Sequence, residues 1–69
     1  MDEYKKEYYN NLIGKNIKCV LTSSNGYNLF YSGKLIKVLD DEIVLIDYKA
    51  GTLLLKVSNL SITSTGDSQ

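Results

Sequence analysis

The sequence predicts a mostly β fold: a short N-terminal helix followed by five antiparallel strands in a small, strongly bent barrel. Three observations carry this expectation. Residues 25–47, NGYNLFYSGKLIKVLDDEIVLID, read as turn, long strand with an internal glycine, acidic turn and second strand. Apolar residues alternate where a half-buried strand needs them, as at Ile17, Cys19 and Leu21. The longest apolar runs, IVLI and LLL, are short and bounded by turn residues, as in buried strands. They also fall far short of the roughly 20 residues that cross a bilayer.

Tyr4, Tyr8 and Leu12 recur at i, i+4 and i+8, which predicts a helix over residues 2–12 with that stripe laid on an open end of the barrel. Asp2 and Glu3 suit its start and Gly14 its stop. NIKCVLT (16–22) is the first strand, with Cys19 as a small buried hydrophobe. Asn25-Gly26 is a strong hairpin signal. The second strand runs from about Tyr27 to Leu39, and Gly33 offers the place to bend it. Leu29, Tyr31 and Leu35 are then expected to face inward, with Phe30 and Ile36 on the alternate face. After the Asp40-Asp41-Glu42 turn, EIVLIDY (42–48) and TLLLKV (52–57) look apolar on both faces. A last strand spans 60–63, giving one domain over residues 1–63 and a disordered polar tail at 64–69.

Composition narrows the function. A core this small supplies only about 3–5 kcal/mol net, and Cys19 is the single cysteine, so self-association is the expected source of added stability. One free thiol and a polar start, MDEYKKEYYNN, read as a reducing, cytoplasmic setting with no membrane segment. Eight lysines balance eight acids and there is no arginine, which argues against duplex DNA and against base reading. No enzyme is expected: there is no histidine to activate Ser58, Ser61 or Ser64. No phosphate-binding glycine loop is present, and the acids at 40–42 read as a solvated turn rather than a metal site. No cofactor is implied.

LIGKNIKCVL (12–21), SGKLIKVLDD (32–41), EIVLID before a glycine turn, and KVSNLSIT (56–63) resemble the Sm-like fold of Sm and LSm proteins and the bacterial RNA chaperone Hfq. Gly33, Leu35 and Asp40 match the first Sm motif, and the wording is most like that of small bacterial Sm-like proteins; small SH3-like barrels share the glycine bend and acidic turn. Val44 stands where Sm proteins usually place asparagine, and Ser58-Asn59 where they carry arginine-glycine.

The resemblance implies a cyclic homo-oligomer in which the fourth strand of one subunit pairs with the fifth of the next. Leu53, Leu54, Leu55, Val57, Leu60 and Ile62 would then lie at the subunit interface. It also implies a rim built from Asp40, Asp41, Glu42, Ser58 and Asn59, and single-stranded RNA as ligand. Because that rim is acidic, Lys5, Lys6, Lys15, Lys18 and Lys34, with Tyr27 and Phe30 as stacking surfaces, are the better RNA candidates. The alternative is a protein-interaction or assembly module that kept the barrel and lost RNA binding.

Overall fold

The computed structural model describes residues 1–66. One short helix precedes five antiparallel strands that form a single sheet. The elements are α1 (Glu3–Asn10), β1 (Asn16–Thr22), β2 (Asn28–Val38), β3 (Glu42–Asp47), β4 (Gly51–Lys56) and β5 (Leu60–Gly66), with a 3₁₀ turn at Val57–Asn59 between the last two. The strand order is β4-β3-β2-β1-β5. β4 and β5 therefore form the two edges.

The helix is shorter than residues 2–12. Asp2 caps it, its carboxylate accepting the Lys5 N–H at 2.8 Å. Gly14, at φ +90°, ends the turn that follows and donates its N–H to the Leu35 carbonyl at 2.7 Å. The seated face is also different from the Tyr4/Tyr8/Leu12 stripe. Tyr9 and Leu12 are buried, with Met1 packed beside them, while Tyr4 is 88 % exposed and Tyr8 about half so. The i, i+3 pair Tyr9 and Leu12 joins the core cluster in place of Tyr4 and Tyr8.

Two devices bend the sheet. Gly33 lies where β3 crosses β2 so closely that a Cβ would stand 1.9 Å from the Ile46 carbonyl oxygen. Only glycine admits that approach. Ile36 is the extra residue of a bulge, since Leu35 pairs with Leu45 but Lys37 with Val44. A second bulge, at Thr63, lies between the Lys18–Ser64 and Cys19–Ile62 pairs. The core is Ile17, Cys19, Leu35, Ile43, Leu45, Leu55, Val57 and Leu60 under Tyr9 and Leu12.

Several expectations change. Leu29 is 44 % exposed rather than inward, although Leu21 opposite it packs against the core. β3 and β4 are not covered on both faces: Ile46 is 42 % and Leu54 56 % exposed, since α1 packs on the opposite side of the sheet. Ser64, Thr65 and Gly66 are not a loose tail. They extend β5 along β1, with Gly66 opposite Asn16; residues 67–69 lie outside the described residues.

Candidate nucleic-acid interface

The register of β1 against β2 sets up one face. Ile17, Cys19, Gly33 and Leu35 point into the core, so Asn16, Lys18 and Val20 point outward opposite Lys34, Ser32 and Phe30. Phe30 is 76 % exposed on this face. The ring is therefore an apolar surface open to solvent beside Lys18 and Ser32.

The β3–β4 turn brings a second aromatic to the same place. Asp47 is the one buried acid among the described residues. Its carboxylate accepts the N–H groups of Ser32 at 2.9 Å, Lys49 at 2.8 Å and Ala50 at 2.8 Å. Those three bonds, from Ala50 first and then Ser32 and Lys49, hold its pKa below the usual carboxylate range. The Tyr48 N–H in turn donates to the Ser32 carbonyl at 3.0 Å. This reciprocal tie locks the turn onto β2 and sets Tyr48 and Lys49 beside Ser32. Tyr48 is 70 % exposed, and its hydroxyl donates to Asn16 Oδ1 at 2.9 Å, which orients the ring.

A cavity of about 280 Å³ opens between these groups, walled by Lys18, Phe30, Tyr31, Tyr48, Lys49 and Thr63. The bulge aims Thr63 here, and its hydroxyl donates to the Lys18 carbonyl at 3.1 Å. Cys19 forms part of the floor. Burial first, and then the Asp47 charge, push its thiol up to about 11. The thiol is therefore protonated and inert near neutral pH. The cavity offers aromatic walls, with Lys18, Lys49 and the Asp47 carboxylate at its margins.

Of the residues expected to bind RNA, Lys18, Phe30 and Lys34 share this outward face. The others do not. Lys5 lines a separate depression with Met1, Asp41 and Lys56. Lys6 pairs with Asp40 at 3.4 Å. Lys15 follows the Gly14 turn, its carbonyl accepting the Leu35 N–H at 3.1 Å. Tyr27 sits in the β1–β2 turn, where its N–H meets the Ser23 hydroxyl. Tyr48 and Lys49 are additions. Their adjacency was visible in the sequence, but only the Asp47 turn folds them onto β2.

The rim residues do come together. The Val57 N–H donates to the Asp41 carbonyl at 3.0 Å, which joins 40–42 to the 3₁₀ turn carrying Ser58 and Asn59. The Met1 ammonium donates to Asp41 at 2.6 Å, and this bond lowers the Asp41 pKa. The neighbourhood carries Asp2, Asp41 and Glu42 against Lys5, Lys56 and the Met1 ammonium. It is thus mixed in charge, with no cationic excess for phosphate.

Among the expected interface residues, Leu55, Val57 and Leu60 are buried in this chain's own core. Leu54 is exposed, and Leu53 and Ile62 are partly covered. No helix among the described residues is long and apolar enough to cross a membrane. No protein-family model, no curated protein and no solved structure matches the chain.

Proposed function

We propose that this chain is a non-enzymatic, self-assembling Sm-like protein that binds single-stranded RNA on the face carrying Phe30, Lys18, Tyr48 and Lys49. The observation that carries the reading is that cavity: two exposed rings on adjacent elements, with lysines beside them. Stacking on such rings is worth about 1–3 kcal/mol per base and tolerates any base, while the ammonium groups meet the phosphates. The protein's zero net charge makes this local arrangement, rather than an overall field, the source of attraction.

Self-assembly is supported by the two edge strands. β4 (GTLLLK) and β5 (LSITSTG) are six and seven residues long. β5 carries no charge and β4 only its terminal Lys56, so the usual protection of an edge is missing. A head-to-tail union of β4 with the β5 of the next copy would satisfy both.

Anisotropy titration with labelled oligo-U and oligo-A at low and moderate salt tests the RNA reading. Binding that weakens steeply with salt is the expected result. Absence of binding at low salt overturns it. The exposed Ile46 and Leu54 favour the second reading in that event, an assembly module that holds another protein on the outer face of β3 and β4.

A further inference from the structure

The 280 Å³ cavity has a neighbour. A second depression, of about 190 Å³, is walled by Asn16, Ile17, Ser64 and Gly66. Lys18, Ser32 and Tyr48 line both. Those three residues are therefore the divide between two adjoining spaces. Each is smaller than the ~300 Å³ at which clefts for multi-ring ligands begin, so each suits a single planar group.

The groups at the divide have matching properties. The Tyr48 ring is exposed but held, because its hydroxyl is bonded to Asn16 and its N–H to Ser32. A ring fixed in place loses little freedom when a base stacks on it. Lys18 is exposed and makes no ion pair among the described residues. Asp47 also lines the larger space and stays ionised, its oxygens accepting three backbone N–H groups whose dipoles offset part of its charge, and Lys18 and Lys49 outnumber it there. Ser32 adds a hydroxyl that can donate or accept.

We propose that each chain binds two consecutive nucleotides of single-stranded RNA, with the Tyr48 ring between their bases and the Lys18 ammonium on the phosphate that links them. One base enters the larger space against Phe30. The next enters the smaller space, against Asn16 and Ser64 at the end of β5. This rests on the RNA reading above and adds to it a site size and a central residue. It also gives the unexpected length of β5 a role, because Ser64 and Gly66 wall the second space.

The chain has no tryptophan, so Tyr48→Trp introduces a single indole at the divide. Titration of that full-length variant with oligo-A or oligo-U should quench the indole with the midpoint that anisotropy gives for the same RNA. Tyr4→Trp, on the exposed helix flank, should show no quenching. Tyr48→Ala should weaken binding about 10-fold or more, the scale of a lost base stack, and Tyr48→Phe should stay within about threefold because the ring remains. A dinucleotide should bind about 10-fold or more tighter than a mononucleotide. RNA that binds the wild-type chain but leaves the Tyr48→Trp indole unquenched and Tyr48→Ala at full affinity overturns the two-base site and leaves the RNA reading standing. Wild-type protein that binds no RNA at low salt overturns both.

Discussion

Gly33→Ala tests the account of the bend, because its cost can be worked from one contact. The added Cβ would lie 1.9 Å from the Ile46 oxygen, 2.6 Å from its carbonyl carbon and 2.8 Å from the Asp47 Cα, all backbone atoms that cannot rotate away. An ordinary contact needs about 3.4 Å, so β3 must retreat by about 1.5 Å. Hydrogen bonds beside the Gly33–Asp47 and Lys34–Ile46 pairs would then stretch past useful length. Each lost bond costs about 0.5–1.5 kcal/mol, and overpacking a fixed site adds about 1–3 kcal/mol. The total is about 3 kcal/mol, against about 3–5 kcal/mol for a whole fold of this size. With a urea m-value near ~1 kcal/mol/M, the unfolding midpoint should fall by about 3 M when followed by far-ultraviolet circular dichroism. Gly51→Ala is the control: φ is +80° but nothing lies within 4 Å, so only the left-handed backbone cost of about 1–2 kcal/mol applies. A midpoint for Gly33→Ala no lower than that of Gly51→Ala would refute the close-approach argument.

Three further outcomes follow from particular contacts. Leu45, fully buried between β2 and β4, should cost about 2–5 kcal/mol when cut to alanine; equilibrium unfolding giving under 1 kcal/mol would mean that the core is elsewhere. Asp47 has its folded pKa lowered by three backbone N–H donors, so its contribution is present above the unfolded carboxylate pKa and is lost as pH falls through the lower folded value. Unfolding midpoints measured from pH 7 down to pH 2 should therefore drop in acid for the wild type and drop less for Asp47→Asn, and parallel curves would contradict this. Cys19, buried with its thiol raised to about 11, should resist a colorimetric thiol reagent at pH 8 until denaturant is added; prompt reaction of the native protein would show an open core.

Much of the fold was legible because it depends on local signals. Period-two alternation located β1, and the Asn25-Gly26 and acidic turns placed both hairpins around β2. Gly33 was identifiable as special, although the cause is the passing Ile46 carbonyl rather than backbone conformation. The helix face is not legible in sequence, because Tyr4, Tyr8 and Tyr9 offer two stripes of similar hydrophobicity and only Tyr9 is seated in the core. Ser64–Gly66 could not be read as a strand: their side chains are small and polar, and their order comes from pairing with β1.

The candidate site was legible only in fragments. Lys18 and Phe30 have the chemistry of an RNA contact, and strand register puts them, with Lys34, on one face. Tyr48 and Lys49 belong with them only through Asp47, whose side chain folds the turn onto Ser32. A lone acid at the end of a strand gives no such signal in sequence. Lys5 and Lys6, the same residue type as Lys18, lie on α1 near the acids of the rim, and Lys6 is paired with Asp40.

The most direct measurement is a nitrogen-15 amide titration of the full chain with a short single-stranded RNA at low salt. The account expects the shifts to gather at Asn16, Lys18, Phe30, Ser32, Tyr48, Lys49 and Ser64. Shifts gathered instead at residues 40–42 and 57–59, or an unchanged spectrum, would contradict it.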